Sequence, residues 1–117
     1  MLGINVVNAL RAKEQVMQTE QDSVPLEPYE ENLTRFDDIT IGTQVRLSET
    51  TLAEMKAAGI AEVARDSWRL GGTVTQIVTH PHHGWVSLRV RLTQPVRYAD
   101  GTGHRYQWWS PADLSRR

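Results

Sequence analysis

Arg105-Tyr106-Gln107-Trp108-Trp109-Ser110-Pro111-Ala112-Asp113-Leu114 is the stretch on which the fold turns. Two of the four tryptophans of the chain stand side by side in it. It follows Asp100-Gly101-Thr102-Gly103, a strong hairpin turn signal. In a strand successive side chains point to opposite faces, so Tyr106 and Trp108 share one face and Gln107 and Trp109 the other. Both indoles cannot enter one core. We expect Trp108 inside with Tyr106. Trp109 is then the outward residue, an anchor for an insertion, an arm or a neighbouring subunit. Ser110 reads as the cap of a single helical turn with Pro111 at its first position, where the missing N–H costs nothing.

Working back from this stretch, Trp85–Leu92 alternates cleanly. Val86, Leu88, Val90 and Leu92 point one way, and Trp85, Ser87, Arg89 and Arg91 the other. Val96 and Tyr98 continue the pattern. Thr73–Thr79 is rich in Thr, Val and Ile, but Val74, Ile77 and Val78 break strict alternation, which predicts a β-bulge. Gln44–Leu47 is a short alternating strand after an Ile41-Gly42-Thr43 turn. Between these strands, Thr51-Leu52-Ala53-Glu54 reads as a capping box opening a short helix, about Leu52 to Ala58, with Gly59 as its stop. A second turn follows over Ala61–Asp66.

The chain changes character before residue 37. Residues 1–38 carry eight acids and three bases, and residues 39–117 six acids and ten bases. Leu2, Val6, Leu10 and Met17 lie at helical spacing and predict an amphipathic N-terminal helix that needs a partner surface. Residues 18–36 are acidic and polar, with Pro25 and Pro28 favouring an extended course. The expected organisation is therefore a helix plus extended acidic arm over 1–36, then a mainly β barrel domain over 37–117 with a helical insertion at about 50–66.

The order of strand, insertion, strand, hairpin, strand and single turn over Ile39–Leu114, ending in Trp109-Ser110-Pro111-Ala112-Asp113-Leu114, resembles the SH3-like small β-barrels. The resemblance implies about five strands curled to hide one apolar face. Such barrels serve peptide binding, nucleic-acid binding and virion assembly alike, so the fold alone leaves the role open. Similarity to bacteriophage virion barrels implies a structural subunit of a head, neck or decoration, located in the virion or the host cytoplasm, whose arm docks on neighbouring subunits.

Composition narrows the chemistry. There is no cysteine, which excludes disulfides, thiolate metal sites and a cysteine nucleophile. No apolar run approaches the ~18 residues of a membrane helix, and the N-terminus lacks the basic and apolar regions of a secretory signal. There is no Gly-rich phosphate loop, nucleophile elbow or HExxH, so no enzyme and no cofactor are expected.

His80-Pro81-His82-His83 places three imidazoles in four residues, but a metal site needs further fixed ligands, and a polar turn explains the same residues. Arg89 and Arg91 beside Trp85, with Arg97 and Arg105 on nearby strands, fit three readings. These are an acidic protein partner, nucleic acid, or a solvated face with arginine stems over a tryptophan. The favoured partners are other protein subunits. The candidate contact residues are Leu2, Val6, Leu10, Met17, Pro25, Pro28, Tyr29, Trp85, Arg89, Arg91 and Trp109.

Overall fold

The alternating segments of the second half form the strands expected of them. A computed structural model describes residues 21–115, so the expected N-terminal helix and its residues Leu2, Val6, Leu10 and Met17 lie outside the described residues. The strands are β1 (Glu31–Leu33), β2 (Arg35–Phe36), β3 (Ile39–Thr40), β4 (Gln44–Leu47), β5 (Gly72–His80), β6 (Trp85–Arg97), β7 (Gly103–Trp109) and β8 (Leu114–Ser115). Two helices, α1 (Glu49–Ala57) and α2 (Glu62–Leu70), follow β4, and a 3₁₀ turn, Pro111–Asp113, precedes β8. The chain is mainly β, a curled half-barrel sheet with two helices.

The sheet runs β7-β6-β5-β4-β8, and every pairing is antiparallel. β1 pairs with the far end of β5, Leu33 opposite Ile77 and Glu31 opposite Thr79. Part of the segment read as arm is thus a strand of the barrel sheet. β2 and β3 form a separate two-stranded ribbon. The bulge expected in β5 falls between Val74 and Gln76, where the register against β6 shifts. The hairpin at Asp100–Gly103 closes through Tyr98 N–H to Thr102 C=O (2.8 Å), with Gly101 at φ 88°, a conformation that glycine adopts without steric cost.

The helical insertion is longer than expected and is capped elsewhere. Ser48, not Thr51, is the N-cap: its Oγ accepts from the Thr51 N–H at 3.1 Å. Both hydroxyls suit a cap, but Ser48 has the extended backbone that a cap needs, while Thr51 is already helical and buried. Gly59 sits at φ 83° just past the end of α1. The expected second turn is a full helix, α2, whose Trp68 and Ala64 face the core and whose Ser67 hydroxyl donates to the Gln94 carbonyl.

The core joins Val45, Leu47, Val74, Ile77, Leu88, Val90, Leu92 and Val96 of the sheet and Ile39 of the β2–β3 ribbon to Leu52, Met55, Ala64 and Trp68 of the helices. The helices cover the concave side, where a sheet of so few strands would otherwise expose apolar surface. Trp109 belongs to this core and is fully buried, which corrects the expectation that it faces outward. Trp108 is fully buried as well, but its partner across the ladder is Arg89, so it stands on the opposite face of the sheet. The physical reason is register. Val96 pairs with His104, and an unbroken ladder from there would set Trp108 opposite Leu92. The register breaks between Arg91 and Val96, and the continuing ladder sets Trp108 opposite Arg89, three residues short. An odd shift exchanges the two faces of a strand.

Candidate functional site

The convex face of β5, β6 and β7 carries Gln76, Arg89, Arg91, Tyr106 and Trp108. A solvated strand face was one reading of Arg89, but Arg89 is 1% exposed. Burying a guanidinium is costly unless its charge and its N–H groups are matched. Here its carbon lies 3.8 Å from the centroid of the Tyr106 ring, and its Nη1 donates to the Gln21 carbonyl.

The covering segment is the chain's own residues 21–24. The Asp22 carboxylate accepts from the Tyr106 hydroxyl at 2.6 Å and from Arg91 Nη1 at 3.0 Å. The Tyr106 hydrogen bond, and after it the Arg91 charge, hold the Asp22 carboxyl below its ordinary range. Burial, and then the neighbouring carboxylate, push the Tyr106 hydroxyl up. Two residues on, the Gln76 side chain treats Val24 as a strand neighbour would. Its Oε1 accepts from Val24 N–H at 2.9 Å and its Nε2 donates to Val24 C=O at 3.0 Å. The same Nε2 donates to Asn32 Oδ1 at 3.0 Å, so one buried amide ties the arm to β1. Between them the chain reverses in a turn closed by Glu30 N–H to Glu27 C=O (3.0 Å) and Glu27 N–H to Glu30 Oε1 (2.9 Å).

Of the residues expected to make contacts, the structure brings Arg89 and Arg91 together on this face and places their acidic partner in the same chain. Pro25 and Pro28 are exposed on the arm. Trp85 leaves the arginines and joins a second cluster at the β5–β6 turn. There the His80 ring meets the rings of His83 (4.2 Å), Tyr29 (4.6 Å), Trp85 (5.2 Å) and His82 (6.2 Å). These five residues line an open cavity of about 510 Å³. Among the described residues no three His, Asp or Glu side chains are placed to share a metal ion. Sequence reasoning missed Asp22, Gln76 and Tyr106. Tyr106 was expected in the core with Trp108, and the only signal available was Gln76, a polar residue set among the apolar positions of β5.

Among the described residues no helix is long and apolar enough to cross a membrane. No protein family, no curated protein and no solved structure matches this chain.

Proposed function

We propose that the chain is a non-enzymatic assembly protein that joins neighbouring subunits by laying an acidic extended segment on the Arg89–Arg91–Tyr106 face. One observation carries the reading: Asp22 seated between Arg91 and the Tyr106 hydroxyl. Each copy carries both the segment and the face that receives it. Contacts that close within one chain can be exchanged between copies at little cost, which is the logic of swapped arms in oligomers. The exposed Pro28 lies in the turn that would redirect the segment, and the exposed Pro25 comes just before it. A virion subunit of the head, neck or decoration kind is the setting that the SH3-like order of strands suggests.

The test is photo-cross-linking. Ser23 is replaced by benzoylphenylalanine in heavy-nitrogen chains, which are mixed with unlabelled chains and irradiated. Mixed-isotope links from position 23 to β6 or β7 are expected. If every linked peptide pair carries a single isotope, the segment never leaves its own barrel and the assembly reading fails.

A second reading has its own support, because Asp22 occupies a place where two arginines beside an aromatic ring could hold a phosphate. In that reading the arm covers a nucleic-acid face. Anisotropy with labelled single-stranded DNA at low salt separates the two. Binding that rises in Asp22→Ala, falls in Arg91→Ala and weakens steeply with salt would favour nucleic acid.

A further inference from the structure

We infer that the cavity lined by Tyr29, His80, His82, His83 and Trp85 is a recognition site for an arginine side chain of a partner protein. This goes beyond the arm-docking reading and does not depend on it. The site is a bowl of rings. His80 forms its floor at 7% exposure, with Tyr29, His83 and Trp85 around it at centroid distances of 4.6, 4.2 and 5.2 Å. Tyr29 is 46% exposed, so one wall leaves much of its surface to the solvent. The volume, about 510 Å³, suits a side chain or a small group rather than an extended polymer.

The chemistry of the walls selects the occupant. Aromatic faces carry negative electrostatic potential and attract cations. No lysine or arginine lines the cavity. The chain that supplies Tyr29 continues directly into Glu30 and Glu31, and Glu31 stands opposite Thr79, the residue before His80. An anion would find no lysine or arginine in the lining, and two acidic residues follow Tyr29 in the chain. A quaternary ammonium would satisfy the faces but no more. An uncharged imidazole also offers one acceptor nitrogen, and the rings of His82 and His83 are exposed in the lining. A ligand with both a planar cation and N–H donors answers both features, and a guanidinium is that ligand.

The experiment is an NMR titration of the whole chain, following the aromatic resonances of Tyr29, His80, His83 and Trp85. The probe is N-acetylarginine amide. The controls are its citrulline analogue, which has the same shape without the charge, and a nucleoside monophosphate. Saturable shifts confined to the residues that line the cavity are expected, with the citrulline analogue weaker by about tenfold, the scale of a cation–π contact. Tyr29→Ala, an exposed position where folding is not at stake, should abolish saturation, and Trp85→Leu should do the same. Equal or tighter binding of the citrulline analogue or the nucleotide overturns the inference, as does the absence of localised shifts up to roughly 50 mM probe, a concentration well above the weak millimolar regime.

Discussion

Trp109 stands opposite Leu88 and Trp108 opposite Arg89, so a single residue of register decides which indole the core receives. The sequence made much of this neighbourhood readable. The alternation of β6, the hairpin at Gly101 and the Ser110-Pro111 turn are local signals, and the bulge in β5 was visible as a broken period. The phase of β7 was not readable, because it depends on three residues absorbed between Arg91 and Val96. There Thr93 N–H bonds the Gly71 carbonyl and the Gln94 carbonyl accepts from Ser67. Those are contacts to the end of α2, a non-local cause that no window of the sequence contains. With Trp109 inside the core, Trp109→Ala should cost about 3–5 kcal/mol, as removal of a large buried ring does. Trp109→Phe should cost roughly half that or less, because the lost indole N–H has no acceptor among the described residues. Urea unfolding of the three chains measures both. A loss under about 1 kcal/mol for the alanine variant would mean that this ring is not core.

The arm shows how a polar segment can be held without a core of its own. Its composition favours an extended chain, and residues 21–24 are held by side chains of the sheet, whereas β1 further on is held by a backbone ladder to β5. Two kinds of contact act here, and they differ in strength. The Arg91–Asp22 pair is 41% and 61% exposed at its side chains, so its worth is under about 1 kcal/mol and salt weakens it. The Gln76 amide is buried and bonds both the N–H and the C=O of Val24. We therefore expect Gln76→Ala to accelerate hydrogen exchange of the Val24 amide more than Asp22→Ala does. The effect of Asp22→Ala should shrink at high salt and that of Gln76→Ala should persist. Comparable acceleration by both, equally sensitive to salt, would mean that charge alone holds the arm. The acidic tract could be seen in the sequence. Its receptor could not, because Gln76, Arg91 and Tyr106 come together only when three strands are set in register.

Across the whole molecule two carboxylates respond to acid with opposite sign. Asp22 is held below the ordinary carboxylate range, first by the Tyr106 hydroxyl and then by Arg91. Its folded form binds protons less readily than the unfolded chain, so its contribution is present above the ordinary range and is lost as pH falls through its lowered value. Asp113 is the reverse: burial pushes its carboxyl up. It lies at the seam that joins the 3₁₀ turn to β4 and α1. Its carbonyl accepts from Ser48 N–H at 2.9 Å, its Oδ1 accepts from the Thr51 hydroxyl at 3.4 Å, and its Oδ2 has no partner among the described residues. Its folded form holds a proton more tightly than the unfolded chain, so its contribution is complete at low pH and is lost as pH rises through its raised value. Acid should thus release the arm while the seam of the barrel holds. Above the ordinary carboxylate range the half-satisfied Asp113 is a liability that Asp113→Asn removes while leaving an oxygen for Thr51. We expect the asparagine variant to be more stable by about 1 kcal/mol near pH 7, a rise in Tm of roughly 4–8 °C for a domain of this size. The advantage should vanish as both chains are titrated below about pH 4, where the carboxyl of the parent is protonated. A thermal-unfolding series across that range decides the matter, and an advantage that stays constant with pH would assign it to packing rather than to charge.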